Sequence, residues 1–202
     1  MSLAMAAEKP EKDIMRRPPV QQNVPRLIDW KLLFHAYLII GNIECLSSFF
    51  CYFFWYYSNG IPVSRMFFKY SHFDDQFNAI KQPELDRINE TGQCIYYVSL
   101  CIMQFFNFLT TRTRYASFFT HNPFWSQRSR NLWLILSILI SISICVCVTE
   151  IPFVQRHFKT HRVPILYVLP ALGFGLFMLT IDELRKFYIR RNPNCYLSRM
   201  AW

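Results

Sequence analysis

The sequence predicts an all-α, polytopic membrane protein with four transmembrane helices and both termini cytoplasmic. Hydrophobic residues make up 52% of the 202-residue chain and aromatic residues 18%, with only 5 glycines. The apolar residues collect in four blocks, whereas a soluble domain would interleave polar positions within each element. Lys and Arg flank those blocks unevenly: 15 of the 22 fall on the segments that this arrangement places inside, as the positive-inside bias requires.

Residues 1–33 are polar and broken by Arg16-Arg17-Pro18-Pro19 and Pro25, and read as a cytoplasmic lead-in. The membrane domain covers 34–181, and 182–202 forms a cytoplasmic tail. The first block runs from Phe34 to Tyr57 and ends at the turn signal Asn59-Gly60-Ile61-Pro62. A mixed loop over 58–92 carries Asp74-Asp75 and Lys81-Gln82-Pro83-Glu84. The second block, Cys94 to Thr111, is close to the shortest segment that crosses a bilayer. Arg112, Arg114, Arg128 and Arg130 mark the loop before the third block, Leu132 to Pro152. A short loop, Phe153 to Arg162, precedes the fourth block, Val163 to Ile181. That loop runs against the topology, because Arg156, His157, Lys159, His161 and Arg162 crowd a segment placed outside.

The net charge of +9 comes from residues beside the apolar blocks, without a nucleic-acid recognition module. Anchoring to anionic headgroups is the better reading. The 7 cysteines mostly lie inside apolar blocks, where they act as small hydrophobes, and no metal-ligand spacing occurs. Met1 to Ala7 meets Glu8 and Lys9 too soon to form a signal peptide. A channel or redox protein is disfavoured, since no filter-like loop, haem ligand pair or acidic ring is present.

Polar groups in hydrocarbon invite a functional reading. Gln104 and Asn107 lie three apart and share a helix face, either as transport ligands or as hydrogen-bonding groups between helices. Glu44 is the one carboxylate deep in the first block. It is either a proton or cation ligand, or a neutralised group bonded to Asn42, Ser47 or a neighbouring helix, and the second reading is favoured. Glu150 is interfacial. Asn89-Glu90-Thr91 is an N-glycosylation sequon in the loop placed outside. Trp55-Tyr56-Tyr57, Tyr96-Tyr97, Phe118-Phe119 and Phe124-Trp125 read as interfacial belts. Pro170 suggests a kink, and Gly173-x-Gly175 a close helix contact.

Several blocks, in order, resemble the end of the catalytic subunits of P-type ATPases of the Na⁺,K⁺/H⁺,K⁺ branch. Ser2-Leu3-Ala4, Asp13-Ile14-Met15 and Arg17-Pro18 resemble the link after that family's sixth membrane helix. Ala36-Tyr37, Ile40-Gly41, Ile43, Leu46, Phe49-Phe50, Tyr52-Phe53 and Asn59-Gly60 follow its seventh helix. Thr110, Arg112-Thr113-Arg114 and Ser117 resemble the basic loop after the eighth, and Asn131 and Pro152 bracket the ninth. The run Ile181-Asp182-Glu183-Leu184-Arg185-Lys186 through Arg190-Arg191-Asn192-Pro193 resembles the exit from the tenth.

The resemblance implies the seventh to tenth membrane helices of a pump for monovalent cations, giving structural support and peripheral ion ligands. It sets Gln104 and Asn107 where the family carries a Gln and an Asp, and Ile140-Ser141 where it carries a glutamate pair. Asn107 keeps an oxygen without the charge, and Ser141 keeps one weak oxygen ligand, so sodium selectivity is not implied. Apart from the transported cation, no metal is implied. Ser117 resembles a kinase-accessible serine, although a plain polar residue near the interface is the commoner explanation. No Ser-Tyr-Gly-Gln contact for a β subunit occurs between Asn59 and Gln93, which leaves that partner open. The phosphorylated DKTGT motif and the TGES motif are absent from the chain, so alone it should not hydrolyse ATP. No cofactor is expected here, since ATP and Mg²⁺ would belong to missing domains. The implied partners are the lipid bilayer and the remaining pump helices, in a plasma membrane. The alternative is a stand-alone four-span protein that regulates a full-length pump.

Overall fold

The computed structural model describes residues 30–66, 82–112, 117–118 and 131–192. The motifs before residue 30, Asp74-Asp75, Arg114, Phe119, Phe124-Trp125, Arg128, Arg130 and the tail from Pro193, with Cys195, lie outside them. Among the described residues no strand occurs, and four helices are long and apolar enough to cross a membrane: Phe34–Ser58, Pro83–Thr111, Leu132–Glu150 and Ile165–Arg191. These are the first to fourth spans.

One α-helical turn, Trp30–Leu33, precedes the first span, which starts as a π-helix over Phe34–Gly41 and continues as an α-helix over Asn42–Ser58. The sequence pattern gave no sign of that widening. The Asn42 side-chain amide donates to the Leu38 carbonyl at 2.6 Å, a local partner that competes with regular helix bonding. The span stops where Ser58 Oγ and Asn59 Nδ2 both donate to the Trp55 carbonyl at 2.8 Å. Gly60 follows with φ of 80°, a conformation that costs glycine little.

The helix of the second span, Gln82–Thr111, begins well before the expected Cys94. Pro83 fits the first turn, where a missing N–H costs nothing. Leu85, Ile88, Gly92, Ile95 and Ser99 are buried, a stripe at helical spacing. The polar Arg87, Asn89 and Glu90 on the remaining faces hide that stripe from an apolar-block reading. The sequon therefore stands on a helix rather than in a loop.

Asn131 caps the third span, its Oδ1 accepting the Leu134 N–H at 3.2 Å. Most of its large apolar side chains, including Leu132, Trp133, Leu136, Leu139, Ile142 and Ile144, are exposed, as a lipid-facing helix allows. Pro152 does not close this span but opens a short helix, Pro152–Phe158, within the expected loop. Lys159, in the left-handed region at φ 50°, ends it.

Ile165–Tyr167 forms a 3₁₀ turn ahead of the α-helix of the fourth span, Leu169–Arg191. Pro170 thus sits in the first turn of the helix and kinks nothing. The helix also continues past Ile181, so the acidic and basic residues expected to begin a tail are helical through Arg191.

The chain divides into two compact units, one of residues 1–43, 104–141 and 175–202, the other of 44–103 and 142–174. In the second, Tyr56, Ile61, Leu85 and Ile88 form one core, and Cys51, Ile95 and Ala171 another. Trp55 and Tyr56 tie the first and second spans together. Trp55 Nε1 donates to the Ile88 carbonyl at 2.9 Å, and Tyr56 OH to Asn89 Oδ1 at 2.8 Å. Only Tyr57 of that trio is exposed. A Cβ at Gly92 would lie 2.9 Å from the Tyr56 ring, so these aromatics need glycine opposite them.

In the first unit, a Cβ on Gly175 would lie 2.0 Å from the Phe106 ring, whereas one on Gly173 would meet open space. The close contact expected from the Gly173-x-Gly175 pair therefore rests on Gly175 alone. Gly175→Ala should lower unfolding stability in mixed micelles by about 1–3 kcal/mol through overpacking. Gly173→Ala should stay within about 0.5 kcal/mol of the parent. Equal effects at the two positions would contradict the packing.

Candidate functional site

Gln104, Asn107 and Ser141 all belong to the first unit. There, Phe108 of the second span packs on Leu134 of the third, with Ile138 against them. Leu134, Ile138 and Ser141 recur at helical spacing, so Ser141 shares the stripe that faces the second span. On the second span, Gln104 lies one turn before Phe108 and shares its stripe. Gln104 itself is exposed, Asn107 and Ser141 are half-buried, and Ile140 is half-exposed.

Asn107 is the informative member of the set. Its Oδ1 is buried and accepts no hydrogen bond among the described residues, an arrangement that is costly unless a donor or a cation completes it. Its main-chain carbonyl accepts from Thr110 Oγ at 2.7 Å and Thr111 Oγ at 3.0 Å, which fixes the turn that carries it. An amide oxygen with open coordination can take a hard monovalent cation. It can equally take an N–H or O–H from a neighbouring helix.

A polar lock holds the same turn from the fourth span. Lys186 is 0% exposed, and its Nζ donates to the Thr110 carbonyl at 2.9 Å while pairing with Asp182 Oδ2 at 2.6 Å. A cation suits that place, because the last carbonyls of a helix lack main-chain donors and carry partial negative charge. Asp182 also accepts from Arg185 Nη2 at 2.8 Å, so the carboxylate serves two cations. Glu183 accepts Ser117 Oγ at 2.6 Å and the Phe118 N–H at 2.7 Å. Charges that read in sequence as a membrane exit thus clamp the end of the second span and the loop beyond it. The one sequence signal for this was the Asp182–Lys186 spacing of a helical ion pair.

The other candidates are placed as follows. Glu44 belongs to the second unit, is 5% exposed, and its main-chain carbonyl accepts from Ser48 Oγ at 2.9 Å. Asn89, the sequon residue, has its amide oxygen engaged by Tyr56, and Thr91 donates to the Arg87 carbonyl at 2.8 Å. Ser117 has its hydroxyl on Glu183. Glu150 is exposed and pairs with Arg162 at 3.3 Å, a surface contact of small energetic weight. Among the described residues no group of three His, Cys, Asp or Glu side chains is placed to hold a metal ion.

A protein-family model described as "Cation transporting ATPase, C-terminus" matches residues 1–188. The chain is 28% identical over 210 residues to "Sodium/potassium-transporting ATPase subunit alpha-4" of Rattus norvegicus, a match that covers 100% of this chain and 20% of that protein. It is 26% identical over 210 residues to "Sodium/potassium-transporting ATPase subunit alpha" of Drosophila melanogaster, with the same coverage. "Potassium-transporting ATPase alpha chain 2" of Rattus norvegicus is 26% identical over 209 residues, covering 98% of this chain and 20% of that protein. The chain thus spans about one fifth of the length of the curated relatives it matches.

Lys186→Met should cost about 3 kcal/mol or more, because it strands part of a largely enclosed carboxylate and the Thr110 carbonyl. Glu183→Gln should cost about 1–3 kcal/mol, since it weakens charge-assisted bonds to the loop without burying a lone charge. Unfolding in mixed micelles measures both. A Lys186→Met protein as stable as the parent would refute the lock.

Proposed function

The chain belongs to the cation transporting ATPase C-terminus family, and from that membership we propose that it serves as the C-terminal membrane region of a P-type pump for monovalent cations. In this reading the four spans support the moving helices of the pump, and Asn107, with Gln104 and Ser141, supplies peripheral oxygen ligands. The observation that carries the ligand role is the buried Asn107 Oδ1, held in a fixed turn with its acceptor capacity open. The site is neutral: an amide and a hydroxyl attract Na⁺ less than carboxylates do in a low-dielectric setting. The pump built on it should therefore need more Na⁺ at this site, or carry another monovalent ion there.

The same reading places both termini in the cytoplasm and the protein in the plasma membrane. ATP and Mg²⁺ chemistry belongs to the catalytic domains of the pump, and a β subunit remains an optional partner. The family match along residues 1–188 favours this reading over a stand-alone four-span regulator.

A chimera provides the test, with this chain replacing the matching C-terminal region of the Rattus norvegicus alpha-4 subunit. Cation-dependent ATP hydrolysis should persist, with a raised half-saturating Na⁺ concentration. Asn107→Asp in the chimera should lower that concentration by roughly tenfold, equivalent to about 1.4 kcal/mol, and Asn107→Leu should raise it. A half-saturation unchanged by either substitution would overturn the ligand role.

A further inference from the structure

Among the described cysteines, two on different spans meet each other. Cys101 of the second span and Cys145 of the third are hydrogen-bonded through their thiols. Both belong to the second unit, both are free, and both are half-buried rather than sealed in a core. The packing around them supports that contact. A cavity of about 210 Å³ is lined by Cys94 and Tyr97 of the second span and by Val148 and Thr149 of the third. Tyr97 precedes Cys101 by four residues and Thr149 follows Cys145 by four, so each thiol continues the lining face of its own helix by one turn. Tyr97 also bonds the Cys101 sulfur, and Thr149 Oγ donates to the Cys145 main-chain carbonyl at 3.0 Å, which ties both turns in place.

The other described cysteines are engaged elsewhere or exposed. Cys45 Sγ lies 3.9 Å from Tyr96 OH. Cys51 is buried beside Ser99, Cys94 Sγ accepts the His161 main-chain N–H at 3.3 Å, and Cys147 is exposed. A disulfide needs Cα atoms about 4.4–6.8 Å apart with the side chains facing each other. Among the described cysteines, the two whose thiols face each other are Cys101 and Cys145. Both sit inside helices long and apolar enough to cross a membrane, so an oxidant that reaches them is one that partitions into hydrocarbon. We propose that Cys101 and Cys145 are a redox-sensitive pair, which an organic hydroperoxide such as a peroxidised acyl chain closes into a disulfide between the second and third spans.

In the first step one thiol gives up its proton and its sulfur attacks the outer peroxide oxygen. The O–O bond breaks, the alcohol leaves with that proton, and a sulfenic acid remains on the cysteine. The partner sulfur then attacks the sulfenic sulfur, the S–S bond forms, and water leaves with the proton of the second thiol. The two thiols together give up an electron pair, and the hydroperoxide is reduced to an alcohol and water. The bridge holds the second and third spans in one register, and a thiol reductant releases them.

Peptide mapping of the full chain in lipid nanodiscs tests this. The chain is treated with cumene hydroperoxide, remaining thiols are blocked with N-ethylmaleimide, and the digest is read by mass spectrometry. Maleimide labelling at Cys101 and Cys145 should be lost together and replaced by one linked peptide lighter by two hydrogens, while Cys147 stays labelled. Dithiothreitol should restore both labels. Cys101→Ser should leave Cys145 labelled and give no linked peptide, whereas Cys147→Ser should leave the linked peptide unchanged. The bridge itself is read in the parent chain, so the result does not hang on how a variant folds. Labels retained at both cysteines, their loss to sulfinic or sulfonic acid without a linked peptide, or a bridge that joins two copies of the chain on a non-reducing gel would each overturn the proposal.

Discussion

A buried lysine makes the strictest demand on this structure. Lys186 is fully enclosed, and an enclosed ammonium is tolerable only with a carboxylate and further acceptors around it. Asp182 and the Thr110 carbonyl meet that demand, and in doing so they set the register of the fourth span against the end of the second. Gly175 supports the same approach at the Phe106 ring, where no side chain would fit. The turn that carries Asn107 inherits its position from this lock. The Asn107 turn is thus held by charges on the fourth span.

This division of labour suits a membrane protein. Apolar burial gives little drive between helices in lipid, so association depends on close packing and polar contacts. The structure uses both, with glycine opposite aromatics at Gly92 and Gly175, and hydrogen bonds from Trp55, Tyr56 and Lys186 to partners on the second span. The exposed apolar faces of the first and third spans are left for lipid or for other helices.

Much of this was legible in the sequence. The four apolar blocks located the spans, because composition is a local property, and the resemblance set Asn131 at the start of the third. The ends of the helices were less legible. The helix of the second span begins at Gln82 because its buried stripe has helical spacing, which an apolar-block reading cannot see through Arg87, Asn89 and Glu90. The fourth runs on to Arg191 because Asp182, Arg185 and Lys186 satisfy one another along one helix face. Pro170 and Pro152 read as a kink and a stop, yet each occupies a first turn, where proline fits. Gln104 and Asn107 stood out as amides three apart inside an apolar block and Ser141 came from the resemblance, whereas the fixing of the Asn107 turn by Lys186 needed the fold. The Cys101–Cys145 pair joins residues far apart in the chain and has no local signature at all.

The most direct measurement of the central claim is precipitation from native membranes with an antibody against Asn192 to Trp202, followed by assay of ATP hydrolysis in the precipitate. The account predicts ATP hydrolysis stimulated by a monovalent cation, carried by the particle that bears this epitope. A precipitate that contains the 24.3 kDa chain without any ATP-hydrolysing partner would contradict it.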